Sequence, residues 1–121
     1  MFKLFTKKKT ANNAIEFGKE AEKRAVKFLK KNGLEVLEQN YHSRFGEIDI
    51  IAQDKNILHF IEVKATNAEY DPLYRITTAK MEKIIKTVEF YLLKNSIQKE
   101  YQIDAVIVNK GEIEWIKNIC Y

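Results

Sequence analysis

Apolar residues recur at helical spacing between Ala14 and Asn32, with Phe17, Ala21, Ala25, Phe28 and Leu29 on one face. The spacing predicts a helix that Asn13 caps, with Glu16 as its capping-box partner and Gly33 as its stop. Gly18 inside it costs about 1 kcal/mol relative to alanine and is expected to mark close approach of another backbone. The pattern then changes to alternation. Leu34, Val36 and Leu37 predict a strand ending near Tyr41, with His42-Ser43-Arg44 as a turn. Glu47 to Gln53 and Ile57 to Thr66, rich in β-branched and aromatic residues, predict an antiparallel hairpin around Asp54-Lys55-Asn56. Residues 67–76 hold the single proline, Pro72, lack a period and predict a loop. A second helix is expected from Thr77 or Thr78, with Met81, Ile84, Ile85, Val88, Tyr91 and Leu92 inward. Gln102 to Val108 reads as a strand buried on both faces and central to the sheet, and Glu112 to Asn118 as a last strand. The order α-β-β-β-α-β-β predicts an α/β fold, a mixed five-stranded sheet flanked by helices.

At 121 residues the chain suits one domain, and 45% hydrophobic with 31% charged residues excludes intrinsic disorder. Residues 1–12, with Lys7-Lys8-Lys9, are expected to form a basic, flexible N-terminus ahead of a single domain over residues 13–121. The single cysteine, Cys120, excludes a disulfide framework and a thiolate zinc site. The apolar residues near Met1 are too few for a signal sequence, and no apolar run suggests a membrane span, so a soluble, cytoplasmic protein is expected. The net charge of +4 supports a polyanionic partner without requiring one.

Candidate chemistry sits on the central hairpin. Alternation puts Glu47 and Asp49 on one face of their strand, and Glu62 and Lys64 on one face of the next. A two-residue turn at Lys55-Asn56 would set Asp49 opposite Glu62 and Glu47 opposite Lys64, all on one surface; a one-residue slip would separate them. Facing carboxylates repel, and a hard divalent cation would compensate them while keeping coordination positions for water and phosphate. Lys64 would orient the water or stabilise charge on the phosphate. Glu22 borders the apolar stripe of the first helix and reads equally as a residue that reaches the same cavity or as an ordinary surface glutamate. The competing reading is a solvated Glu-Val-Lys face with Glu47 paired to Lys64. His42 and His59 have no partners at metal-ligand spacing and read as surface or packing residues.

The strings Arg44-Phe45-Gly46-Glu47-Ile48-Asp49-Ile50-Ile51-Ala52 and Phe60-Ile61-Glu62-Val63-Lys64 closely resemble the YraN-like family of bacterial proteins. The resemblance extends to Ala21-Glu22, Ala25, Phe28-Leu29, Lys80 and Asp104-Ala105-Val106, covering about residues 14 to 118. That family in turn is similar to the archaeal Holliday-junction resolvases and the PD-(D/E)xK, or restriction-endonuclease-like, fold. The resemblance implies Asp49 and Glu62 as ligands of Mg²⁺ or Mn²⁺, the Val63 carbonyl as a further ligand, and Lys64 positioning the attacking water. It implies Glu22 as the helical acidic residue; Glu47, on the Asp49 face by alternation, is a candidate additional carboxylate. Arg44, Lys80 and Lys83 are the expected nucleic-acid contacts. Ile48 replaces the proline of the motif, and Ala65-Thr66-Asn67 and Gln102-Ile103 lack cations that related chains carry there. The expected activity is metal-dependent hydrolysis of DNA, on branched or single-stranded structures, by a monomer or a homodimer. The alternative is a non-catalytic nucleic-acid-binding or assembly module on the same fold.

Overall fold

The computed structural model describes residues 2–66 and 76–119, with side chains from residue 15 onward. The first helix, α1 (Phe2–Lys31), ends in a Schellman motif. The Leu34 N–H donates to the Leu29 carbonyl and the Gly33 N–H to that of Lys30, with Gly33 at φ +92°. Gly33 is therefore the expected stop, but Asn13 lies within the helix and not at its start. The chain ahead of it has lysines and no glycine or proline, so nothing interrupts the helix there. Ala21, Ala25 and Leu29 are buried, whereas Phe17, expected to face the core, is 39% exposed.

Five strands follow in the order β1-β2-β3-β4-β5. They are β1 (Glu35–Ser43), β2 (Gly46–Gln53), β3 (Ile57–Ala65), β4 (Glu100–Val108) and β5 (Ile113–Ile116), with α2 (Thr78–Lys94) between β3 and β4. Arg44-Phe45 forms the β1–β2 turn, later than expected. β1 and β2 are antiparallel, as are β2 and β3 and β4 and β5, while β3 and β4 are parallel. The observed element order and mixed sheet match the sequence reading, except that β3, not β4, is central. The expected loop around Pro72, and Cys120, lie outside the described residues. Among the described residues, no helix is long and apolar enough to cross a membrane.

Each sheet face has its own core. Ile50, Ala52, Ile61, Val106 and Val108 pack with Ala21, Ala25 and Leu29 of α1. Ile48, Ile51, Leu58, Phe60 and Ile103 pack with Ile84, Val88 and Tyr91 of α2.

A polar network runs from the β2–β3 turn to the middle of β4. The fully buried Asp104 carboxylate accepts from Trp115 Nε1 at 3.0 Å, Gln102 Nε2 at 2.8 Å and the Asn118 N–H at 2.8 Å, and lies 2.7 Å from His59 Nδ1. The other ring nitrogen of His59 lies 3.3 Å from Asp54, whose carboxylate also accepts the N–H groups of Asn56 and Ile57 and closes the β2–β3 turn. Those two main-chain donors hold Asp54 down to about 2. Burial would lower the His59 pKa, but Asp104 and Asp54 outweigh it and raise it above the ordinary 6.5. Burial would raise Asp104, but His59 and the other donors hold it below 3.8. His59 is a packing histidine, as expected, with two carboxylate partners.

Asp104→Ala leaves four donors without their acceptor inside the protein, and is expected to cost about 3 kcal/mol in urea unfolding. The His59 contribution is complete below pH 6.5 and is lost as pH rises through its raised folded value. That of Asp104 is complete above pH 3.8 and is lost as pH falls through its depressed folded value. The stability difference between wild type and Asp104→Ala should therefore be greatest between those two pH values and shrink on either side.

Candidate functional site

The β2–β3 ladder runs Gln53↔Leu58, Ala52↔His59, Ile51↔Phe60 and Ile50↔Ile61, the register of a two-residue turn at Lys55-Asn56. The Asp54 N–H donates to the Ile57 carbonyl, so hydrogen-bonded pairs recur every second residue from that pair, through Ile50 and Ile61. The next pair would be Ile48 with Val63, but the described ladder stops before it. The Val63 N–H instead donates to Asp49 Oδ2 at 2.7 Å. A side-chain carboxylate thus replaces a main-chain acceptor where the strands part.

The backbone of β2 is irregular at the same place. Ile48 packs on the α2 side and Ile50 on the α1 side, although residues two apart in a regular strand share a face. On the neighbouring strand Asn40, which the register sets across from Asp49, has φ +52°. Asp49 therefore stands between the two sheet faces and lines clefts on both. The cleft on the α2 side, about 590 Å³, is lined by Glu47, Asp49, Glu62, Val63, Lys80 and Lys83, with Gly46, Thr77, Ala79 and Ile84. The cleft on the α1 side, about 430 Å³, is lined by Glu22, Asn40, Asp49, Val63 and Ala65 with the Ile15–Ala21 stretch of α1. A Cβ on Gly18 would meet nothing within 4 Å, so Gly18 lines this cleft and does not mark a close backbone approach.

Glu62 is the buried carboxylate, 6% exposed. Burial, then the hydrogen bond and charge of Asp49, push its pKa up to about 8, against a smaller opposing pull from Lys80. Lys80 Nζ lies 3.8 Å from Glu62 Oε1. Glu22 is also raised, by burial and by the charge of Asp49, and Asn40 Nδ2 donates to it at 3.5 Å. Glu47 is exposed and paired with His42 Nδ1 at 3.2 Å; its expected alignment with Lys64 is not part of the ladder. Lys64 is half-buried, in register with Ile107 of β4 and, by alternation, on the Glu62 face. It is not among the residues that line either cleft.

Of the expected nucleic-acid contacts, Lys80 and Lys83 line the larger cleft, while Arg44 sits on the β1–β2 turn with its guanidinium 4.9 Å from the Phe45 ring centroid. The N-terminus of α2 opens onto the same cleft through Thr77, its N-cap, whose hydroxyl accepts the Lys80 N–H at 3.2 Å. The sequence reading placed the start of α2 near Thr77 but gave neither it, Gly46 nor Asn40 a part in the site. Thr77 carried a cap signal; Asn40 carried only the tolerance of asparagine for positive φ.

The donors fit a hard divalent cation. Two carboxylates share a hydrogen bond, one of them buried, and by ladder parity the Val63 carbonyl faces the same gap as its N–H. All three donors are oxygens, the preference of Mg²⁺ and Mn²⁺, and these ions retain water in the remaining positions. Among the described residues, no three His, Cys, Asp or Glu side chains are gathered to hold a metal, so this set consists of two carboxylates and a main-chain oxygen.

The sequence profile of the Uncharacterised protein family UPF0102 matches residues 21–108, which span α1 to the end of β4. The chain belongs to the UPF0102 family. It is 55% identical over 104 residues to a UPF0102 protein of Campylobacter hominis, covering 86% of this chain and 93% of that one. It is 54% identical over 102 residues to a UPF0102 protein of Nitratiruptor sp., covering 84% and 90%. A Campylobacter concisus UPF0102 protein is 52% identical over 104 residues, covering 85% and 92%. The YraN-like resemblance read from the hairpin strings is this family, and the match takes in Glu22, Asp49, Glu62 and Lys64.

Raising the folded pKa of Glu62 from 4.5 to about 8 means that its stabilising contribution is complete below pH 4.5 and is lost as pH rises through the folded value. Glu62→Gln, which cannot ionise, is therefore expected to be more stable than wild type at pH 8 in metal-free buffer. The gain should vanish by pH 4.5, as followed by urea unfolding at both pH values.

Proposed function

We propose that this UPF0102 protein is a Mg²⁺- or Mn²⁺-dependent nuclease that hydrolyses phosphodiester bonds in DNA. The observation that carries the reading is the meeting of Asp49 and the buried Glu62 at the parted ends of β2 and β3, beneath a cleft edged by Lys80 and Lys83.

Asp49, Glu62 and the Val63 carbonyl would hold the metal, which when bound acidifies water and neutralises charge on the phosphate. The chain's own residues supply the rest. Asp49 holds its orientation through the Val63 N–H, so one ligand position is fixed by the main chain of β3. Glu62 acts as an anion, and Lys80 favours that form. Lys64 orients the attacking water from the same face of β3. Lys80, Lys83 and the N-terminus of α2 take the phosphates, because main-chain N–H groups and ammonium groups there face an anion together. Glu22 approaches Asp49 from the opposite cleft and adjusts the charge of the pair. Hydrolysis adds water across the scissile P–O bond, leaving one phosphate terminus and one hydroxyl.

The test combines metal titration with cleavage of branched, single-stranded and duplex DNA. Calorimetry with Mn²⁺ is expected to give saturable binding in wild type and none in Asp49→Ala. Cleavage should fall by more than about 100-fold in Asp49→Ala and Glu62→Ala, with both variants folded by circular dichroism. Wild-type cleavage by either variant, or the absence of cleavage with either metal on all three substrates, would overturn the reading.

A further inference from the structure

One flank of α2 continues the larger cleft away from the carboxylates. At about 100° per residue, Lys80, Lys83, Thr87, Phe90 and Lys94 recur three and four apart and form one stripe. Glu82 and Glu89 project roughly a quarter-turn or more from it, while the exposed Lys86 lies beside it. The stripe borders the apolar face of Ile84, Val88 and Tyr91 and spans about 21 Å from Lys80 to Lys94.

The middle of the stripe holds the β1–β2 turn. Ser43 Oγ and the buried Thr87 Oγ1 are 3.0 Å apart, and Thr87 Oγ1 also donates to the Lys83 carbonyl at 2.9 Å. A Cβ on Gly46 would stand 3.4 Å from Lys83 Cβ, so the missing side chain is what lets the turn lie close to the helix. The turn thereby brings Phe45 edge-on against Phe90, with ring centroids 6.4 Å apart at 66°. Arg44 lies over Phe45 and Lys94 over Phe90, its Nζ 5.7 Å from the ring centroid. Both rings are only half-buried.

Aromatic faces alternating with cations beside a groove are the chemistry that holds unpaired nucleotides. Bases stack on the rings while the cations take the phosphates. A duplex keeps its bases stacked on one another and would use only the cations. We propose that Arg44, Phe45, Phe90 and Lys94 form a shelf for an unpaired strand, which feeds one end of that strand into the cleft at Lys80 and Lys83. This inference deepens the nuclease reading and rests on it for DNA as the polymer, but binding to the shelf requires neither metal nor turnover.

The test is binding without cleavage. Fluorescence anisotropy in EDTA would compare a labelled 12-mer of thymidylate with a blunt 12-base-pair duplex at low salt. The single strand is expected to bind about 10-fold more tightly. Phe45→Leu and Phe90→Leu keep apolar contact with each other but lose ring faces, and each should weaken single-strand binding by about 10-fold while leaving duplex binding unchanged. Lys94→Gln, an exposed change, should reduce the salt slope of single-strand binding by about 0.7. Thermal melting verifies the fold of each variant, and Lys94→Gln decides should a phenylalanine variant unfold. Equal affinity for duplex and single strand, no binding to either, or unchanged single-strand binding in folded variants would overturn the shelf. Metal-dependent cleavage that ignores Phe45 and Phe90 would remove the shelf and leave the nuclease reading intact. Preserved shelf binding in a protein that cleaves nothing would do the reverse.

Discussion

The hydrogen bond from the Val63 N–H to the Asp49 carboxylate is the interaction on which the candidate site depends. A continued β2–β3 ladder would give that N–H a main-chain acceptor and leave Asp49 on one side of the sheet. The carboxylate takes the main chain's place and keeps a half-buried donor satisfied while the strands part. It becomes visible from both faces of the sheet, which is why Glu22 from α1 and Glu62 with Lys80 meet at one residue. The positive φ of Asn40 on β1 and the change of side between Ile48 and Ile50 are the backbone's share of the same distortion.

This arrangement concentrates electrostatic cost at one end of β3. A buried Glu62 beside Asp49 is held protonated into the neutral range, and Lys80, 58% exposed, offsets only part of the penalty. The neighbouring strand carries the opposite design one residue pair away in register. There Asp104 is as buried as a side chain can be, yet each side-chain and main-chain donor around it is aimed at its oxygens. The parallel β3–β4 ladder joins the two strands over nine residue pairs, from Ile57↔Glu100 to Ala65↔Val108, with Ile61 opposite Asp104 and Glu62 opposite Ala105. The electrostatic cost at Glu62 is therefore borne by a strand whose neighbour is firmly anchored one pair away, a division common where a site departs from what stability alone would select.

Periodicity made the architecture legible, because burying one face of a helix or strand leaves a pattern of spacing in the sequence. Gly33 at the end of α1 followed from cap chemistry and the start of α2 near Thr77 from periodicity, and the hairpin has the register of the two-residue turn that the sequence left conditional. The failures came where local signals compete. Asn13 and Glu16 resemble a capping box, but the residues ahead of them sustain the helix. Phe17 has helical spacing with Ala21, yet it stands exposed beyond the buried run of α1. Alternation placed Glu47, Asp49, Glu62 and Lys64 on one surface, an inference that requires a regular strand. The bend at Asp49 has no signature in composition, since it arises from the joint fit of β1, β2 and β3.

Burial separates the readings that the short motif left open. A Glu-Val-Lys tripeptide on a solvated strand would expose its glutamate, and a simple cross-strand ion pair would bring a lysine to it at close range. Glu62 is instead buried, shares a hydrogen bond with another carboxylate, and has the Lys80 ammonium 3.8 Å away on α2. Packing alone would favour an apolar residue at that position, because removing a carboxylate from water opposes folding unless a cation or donors replace the lost hydration. Asp104 illustrates the solution the fold uses when a buried carboxylate is purely structural: four donors converge on it. Among the described residues no such set converges on Glu62, which instead has an open cleft in front of it and cations on the far wall, an environment suited to a charge that arrives from outside.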